Sequence, residues 1–395
     1  MIPGPRRGPG GSGADAGRSK AVLPVLLGAF GVFGLFWGTF AVLLADLSGA
    51  LDLSPGPLGV ALFVGAAASI LAMALLGWTS DRLGRRAFLL VSGCVMGVGI
   101  AALASVGDYR ALLAALVILY AASGLYDVGI NASAVDLERA SGRRVMAVLH
   151  AAFSAGGVAG ALSAGVLLSA GVDYRAVYLA LLPPLGAVIL AVAATRFPRS
   201  GGSPGEGTAR EAGLYRNLPL ILVAVIATLA LLSEGEMEHW SGVYLRNTLG
   251  LSALLGGSGV AVFYGSMAVG RLGAVFVIGR FGNRPTLLGA GLLTAAGMTL
   301  ALATREPLLV VAGFLVVGLA LSAVVPIAFS VAGDLAPGRA GGAISVVTTL
   351  GYGGFLLGPV VVGGLAEVLG LRIALGIIAV SGLLISALSL RLKIP

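Results

Sequence analysis

The sequence predicts an all-α integral membrane protein of twelve transmembrane helices. Three observations carry that prediction: 58% of the 395 residues are apolar, the mean hydropathy is +1.02, and the apolar residues fall into twelve runs of 18 to 28 residues. So little polar surface cannot clothe a soluble globule of this size. Each run has the length an α-helix needs to cross a hydrocarbon core roughly 30 Å thick. The 63 glycines and 17 prolines would weaken helices in water but are tolerated in packed bilayer helices, and the ten-residue alternation of a barrel strand is absent.

In chain order the runs are 21–47, 57–78, 87–106, 112–135, 145–169, 175–196, 217–244, 252–278, 286–303, 308–332, 341–366 and 372–391. Residues 1–20, MIPGPRRGPGGSGADAGRSK, have the composition of a disordered cytoplasmic tail. The run after them is too long for a signal peptide and lacks its small-residue cleavage pattern, so it is the first helix. Residues 21–196 form a first group of six helices and 217–391 a second. The polar, Gly/Ser/Pro-rich stretch RFPRSGGSPGEGTAREAGLYR marks 197–216 as a cytoplasmic linker, and 392–395 form the C-terminal end.

Charge sets the orientation. With the N-terminus inside the cell, nineteen Lys and Arg fall on the cytoplasmic side and five, Arg110, Arg175, Arg246, Arg305 and Arg372, on the other. Both termini and the linker are therefore expected in the cytoplasm, with the chain in the cell (inner) membrane. The net charge of +8 is a topology signal, since no basic soluble domain exists to engage nucleic acid. The lone Cys94, midway along the third run, excludes an intramolecular disulfide and reads as a small packing residue.

Between the second and third runs, GWTSDRLGRR (77–86) concentrates one aspartate and three arginines in a chain with only 11% charged residues. Arg82, Arg85 and Arg86 suit plain positive-inside anchors. Gly77, four residues before Asp81, permits close helix approach, and Gly84 permits a tight turn. Asp81 is placed to accept from a helix N-terminus while the arginines hold carbonyls or acids. After the eighth run comes GRFGNRPTLL. Aligning Gly84 with Gly282 sets Arg280 on Arg82 and Arg284 on Arg86, with Gly279 where Asp81 stands, a degenerate second copy.

GWTSDRLGRR resembles the loop motif that joins helices two and three in the major facilitator superfamily. That resemblance covers the whole chain and implies two pseudo-symmetric six-helix bundles that alternate between inward- and outward-open states. The loop residues Gly77, Asp81, Arg82, Gly84, Arg85, Arg86, Arg280 and Arg284 would then gate and would not touch the solute.

In the fourth run, LYDVGINASAV puts Asp127 four residues before Asn131, on one helix face. A carboxylate at that depth costs roughly 2–3 kcal/mol or more unless it faces a cavity or a partner; the plain alternative is a structural hydrogen-bond pair. The stretch is similar to the acid-to-asparagine pattern in helix four of fucose-permease-like proton-coupled sugar symporters. That likeness implies a proton- or sugar-binding carboxylate at Asp127 and a hydroxyl-recognising amide at Asn131.

The seventh run ends SEGEMEHWSGVYLRNTLG. Glu234 sits inside it, whereas Glu236, Glu238 and His239 are expected nearer the outer interface, with Trp240 and Tyr244 as interfacial anchors. Arg271 lies eleven residues before Gly282, roughly 16 Å along a helix at about 1.5 Å per residue. It is a candidate counter-ion for Glu234 or Asp127, or else a snorkelling arginine. His150 opens the fifth run with Ser154 one turn on, suited either to proton relay or to a local hydrogen bond. Tyr352 and the Gly358-Pro359 break in GYGGFLLGP resemble a pattern in little-characterised bacterial transporters of the same branch.

No CxxC, HExxH or GxxxxGK[ST] occurs, so no metal, no cofactor and no ATP-driven chemistry is expected, and no catalytic residue is assigned. The expected function is secondary transport, as a monomer, of a small solute, with proton-coupled symport of a sugar-like or other polar solute first. Proton-driven efflux of an amphiphile is the alternative, weakened because the fifth run, AAFSAGGVAGALSAG, lacks the proline of drug-antiporter motifs. A non-transporting sensor is disfavoured because no soluble domain is present to carry a signal.

Overall fold

The computed structural model describes residues 13–197, 214–336 and 339–392. Among these, every regular element is helical, and twelve helices are long and apolar enough to cross a membrane. They are α1 Ala21–Ala50, α2 Pro55–Leu76, α3 Arg85–Ala104, α4 Tyr109–Ser141, α5 Met146–Ser169, α6 Tyr174–Ala194, α7 Leu218–Thr248, α8 Ala253–Phe281, α9 Asn283–Ala303, α10 Pro307–Leu335, α11 Gly341–Leu369 and α12 Leu371–Ser389. Each expected run has its helix. The largest departures are at α4 and α7, whose polar last turns stay helical beyond the apolar residues that mark them. Helical backbone begins at Gly13, inside the expected tail. The expected tail's first twelve residues, most of the expected linker and residues 393–395 lie outside the described residues.

Local chemistry fixes the boundaries. Asp108, Asp173, Asn217 and Ser252 cap α4, α6, α7 and α8 by accepting from backbone N–H groups of the first turn. Gly84 (φ 80°) and Gly282 (φ 81°) precede α3 and α9 in a backbone conformation that side chains resist, which is why glycine recurs at matching places.

Packing follows a repeated scheme. Within the first six helices α1 lies on α5 and α6, and α4 on α2 and α3; within the last six α7 lies on α11 and α12, and α10 on α8 and α9. Between the two sets, α5 meets α8, α11 meets α2, and α1 meets α7. Glycines allow the closest crossings. A Cβ at Gly38 would fall 2.9 Å from Gly157 Cα, and one at Gly363 would fall 2.9 Å from Gly59 Cα, so α1–α5 and α2–α11 touch backbone to backbone. Apolar side chains also cover the outside, among them Leu190, Val275, Phe276, Leu308 and Val368. Such a surface is stable only against lipid. Cys94 is exposed on this outside, contrary to the expected packing role, because α3 turns it away from α4.

The two sets are joined at one end. The fastenings lie where α1 stops and α2 starts, called here the distal end: Arg246 on α7 pairs with Asp46 on α1, Asn247 donates to Ser48 (3.4 Å), Gly56 N–H donates to Glu367 (2.8 Å), and Leu254 N–H donates to Ser169 (3.1 Å). Among the described residues no hydrogen bond or ion pair joins the sets at the opposite end, which carries both termini.

Candidate functional site

Several polar residues of the membrane-spanning helices form pairs deep in the structure. On α8, Arg271 donates to Glu234 on α7 at 3.0 Å. On α4, the Asn131 amide donates to the Asp127 carboxylate and to the Asp127 carbonyl, both at 2.9 Å. Tyr352 of α11 stands within electrostatic reach of both Asp127 and Glu234, and His150 of α5 within reach of Arg271, edge-on to Phe30 at 5.3 Å. Of the six expected binding residues, Arg271 bonds Glu234 and Asn131 bonds Asp127, and among the described residues no hydrogen bond ties Tyr352 or His150 to either pair.

Three residues expected near the outer interface, Glu236, Glu238 and His239, are wholly or partly covered by neighbouring helices. Helix α7 continues to Thr248, its last turn a π-helix over Tyr244–Thr248, and it is ringed by α1, α8, α10, α11 and α12. Glu236, His239, Trp240 and Tyr244 are buried, and Glu238 is partly so. Glu238 joins the cluster, within reach of Glu234, Arg271 and Tyr264. His239 takes Tyr120 of α4 through Nε2 (3.1 Å) and its own-helix Gly235 carbonyl through Nδ1 (2.7 Å). The sequence held the signal for Glu238, which follows Glu234 by four residues and so shares its face.

Aromatic rings wall the cluster. Trp37 packs edge-on to Tyr120 at 5.2 Å and Tyr264 edge-on to Phe153 at 6.5 Å. Carboxylates, an arginine, an amide and phenols inside aromatic walls suit a small solute with several hydrogen-bonding groups.

The charged loops lie at the end carrying the termini. Arg85 is held by Asp136 of α4 (2.7 Å), Asp81 (2.8 Å) and the Ser80 hydroxyl (2.7 Å). Arg86 donates to the Ala193 carbonyl at the end of α6, and Arg82 stacks over Trp78 at 4.4 Å. In the second copy Arg284 donates to the Leu390 carbonyl beyond α12 (2.7 Å), the counterpart of Arg86, and Arg280 lies over Phe281 at 6.0 Å. The distal end repeats the idea, with Arg175 donating to Val106 (3.5 Å) and Arg372 to Leu302 (2.7 Å). Gly77 approaches no other helix: a Cβ there would meet only Met73 of its own turn. Asp81 bonds Arg85 rather than a helix N-terminus. Asp136, the buried partner of Arg85, was not legible as such in the sequence.

The sequence profile of the Major Facilitator Superfamily matches residues 25–278 and 243–395. The chain belongs to the Major Facilitator Superfamily. An uncharacterised MFS-type transporter of Yersinia pestis is 32% identical over 359 residues, covering 91% of this chain and 92% of that protein. The membrane protein MosC of Rhizobium meliloti is 30% identical over 381 residues, covering 96% and 92%. Among solved structures, the nucleoside transporter NupG superposes with a TM-score of 0.80 at 13% identity over 95% of this chain and all of that one. An inward-facing, unoccupied bacterial homologue of the lysosomal transporter Spinster superposes with a TM-score of 0.75 at 16% identity, covering 95% and 97%. These likenesses show the fold.

An MFS protein performs secondary transport by alternating access, with the solute held between the two helix sets. The Asp127–Asn131 pair is on α4 of one set and the Arg271–Glu234 pair on α8 and α7 of the other, and the two charged loops occupy matching places in them.

Proposed function

We propose that this MFS transporter is a proton-coupled symporter of a small, polar, sugar-like solute, working as a monomer in the cell membrane with both termini in the cytoplasm. The observation that carries the proposal is the Arg271–Glu234 pair at 3.0 Å on α8 and α7 of the last six helices, with a second polar pair, Asp127 and Asn131 at 2.9 Å, on α4 of the first six. A solute bridging these groups would draw the two sets together, which is how a binding event biases an alternating-access equilibrium.

In this reading Asp127 takes the proton or a solute hydroxyl, and Asn131 presents an amide to a second hydroxyl. Arg271 holds Glu234 and provides a donor fork. His150 lines the approach near Arg271. The pattern of fastenings corresponds to an inward-open state, and Asp81, Arg82, Arg85, Arg86, Arg280 and Arg284 brace the helices that must move when that side closes.

A thermal-shift screen of the detergent-purified protein tests the proposal, using neutral sugars, sugar acids, nucleosides, amino acids and amphiphilic cations at acidic and neutral pH. A ligand that binds only the folded state raises the melting temperature. A pH-dependent rise with a hydroxylated solute, lost in Asp127→Asn, supports symport. Shifts confined to amphiphiles move the assignment to efflux.

A further inference from the structure

Helix α7 has two polar faces, and only one belongs to the central cluster. At about 100° per residue, Glu234 and Glu238 share the face toward α8, whereas Glu236 lies about 200° from Glu234 and points the other way. Its carboxyl meets α11: a Cβ built on Gly358 would lie 3.2 Å from Glu236 Cδ. Glu236 is 0% exposed, and neither carboxyl oxygen has a hydrogen-bond partner.

No cation answers it. Among the helices packed on α7, the charged and titratable side chains are Asp46 on α1, Tyr264, Arg271 and Arg280 on α8, Asp334 on α10, Tyr352 and Glu367 on α11 and Arg372 on α12. Asp46 is paired with Arg246, Arg271 with Glu234, Glu367 with Gly56 N–H, and Arg372 with the Leu302 and Thr304 carbonyls. Arg280 lies over Phe281 and Asp334 in the last turn of α10, both at the end carrying the termini. Tyr264 and Tyr352 belong to the central cluster. On α7 itself, Glu234 and Glu238 face away and His239 is occupied by Tyr120 and Gly235. A carboxylate with no cation beside it and only the Trp240 indole as a neighbouring side-chain donor costs several kcal/mol in such a place. A bound proton removes that charge.

The surroundings also include an open carbonyl on α11 and a polar stripe on α7. Pro359 follows Gly358 inside α11 and has no N–H, so the Phe355 carbonyl four residues earlier has no helical donor. Phe355 itself lies against α7, where a Cβ at Gly235 would fall 2.8 Å from its ring. Toward the distal end, Trp240 and Tyr244 follow Glu236 at four-residue steps on the same face, both fully buried, with the indole N–H and the phenol unpartnered. Tyr244 stands within electrostatic reach of Arg305 and Arg372 at the distal loops. The stripe from Glu236 to Tyr244 spans about 12 Å.

We propose that Glu236 is a proton-binding carboxyl separate from the central cluster, holding its proton between α7 and the Gly358–Pro359 break of α11 and exchanging it along the Trp240–Tyr244 face. Loss of the proton leaves a bare charge between two touching helices, so protonation fastens α7 to α11 and release loosens them. The site uses no group of the central cluster and stands whatever solute that cluster binds.

The test is pH-difference infrared spectroscopy of the full chain reconstituted in lipid, which reads the C=O stretch of protonated carboxyl groups directly and requires no solute. The expected result is a protonated-carboxyl band in the wild type that is absent from Glu236→Gln and retained in Asp127→Asn, Glu234→Gln and Glu238→Gln. A spectrum unchanged by Glu236→Gln, or a band abolished by Glu238→Gln alone, overturns the proposal. Should Glu236→Gln fail to fold, mass mapping of wild-type protein after dicyclohexylcarbodiimide treatment decides. An adduct on Glu236 that diminishes as pH rises supports the site, and adducts confined to other carboxyls overturn it. Failure of the symport reading leaves both readouts unaffected.

Discussion

Arg246 on α7 and Asp46 on α1 face each other across the distal end, with Arg246 donating to both carboxylate oxygens of Asp46, one at 2.8 Å. Each side chain is 19% exposed, so water weakens the pair without dissolving it. Opening at this end requires the pair to part, and its energy therefore enters the equilibrium between the two access states.

Asp46→Asn is expected to raise the distal-open population about tenfold, equivalent to ~1.4 kcal/mol. Double electron–electron resonance between spin labels at the distal ends of α1 and α7 reads this as a longer distance. Exchanging the charges in Asp46→Arg/Arg246→Asp should restore the original distribution. An unchanged distribution in Asp46→Asn removes the pair from the gate.

The Arg85–Asp136 pair is drier, with side chains 8% and 3% exposed. Removing one partner leaves an uncompensated buried charge, and Asp136→Ala is expected to destabilise the protein by about 3–5 kcal/mol. A melting curve in detergent should show a shift of several degrees. Asp81→Asn strands nothing, because Asp81 is exposed and Arg85 keeps Asp136; it should slow turnover while leaving solute affinity nearly intact. A defect in affinity alone would contradict the bracing role.

The α1–α5 crossing makes a steric prediction. A Cβ at Gly156 would lie 2.9 Å from Leu35 N and one at Gly38 2.9 Å from Gly157 Cα, so a side chain has no room unless the helices separate. Gly156→Val and Gly38→Val are expected to cost about 1–3 kcal/mol or more through overpacking, read as a lower melting temperature. Gly186→Val, where nothing lies within 4 Å, is the control expected to leave stability unchanged.

The twelve spans were legible because length and hydropathy alone define a bilayer helix, and Gly84 and Gly282 were legible because only glycine takes their positive φ readily. Asp127, Asn131, Glu234 and Arg271 stood out for the same reason: a polar group at mid-depth needs a partner or a function. The fate of Glu236, His239, Trp240 and Tyr244 was not legible, since hydropathy measures distance from the helix end and cannot tell lipid from protein as the neighbour. Pairings across the chain, such as Arg85 with Asp136 and Arg246 with Asp46, depend on tertiary placement that a single sequence does not carry.

Arg271 and Glu234 make a further prediction. Arg271→Ala leaves the Glu234 carboxylate without its cation, and a loss of ~2 kcal/mol or more corresponds to a transport rate about 30-fold lower or worse. Arg271→Lys keeps the charge but offers a single point donor in place of the fork and should recover part of the rate. Equal activity in all three proteins, measured as initial uptake in proteoliposomes, would place the pair outside the transport path.

Proton movement across proteoliposomes bearing an entrapped pH indicator tests the central claim most directly. Solutes from the same panel are added outside, to wild type and to Asp127→Asn. The account predicts that a hydroxylated polar solute acidifies the lumen of wild-type vesicles and that Asp127→Asn, though folded, moves no protons with it. Acidification that persists in Asp127→Asn, or proton movement driven only by amphiphilic cations, would contradict it.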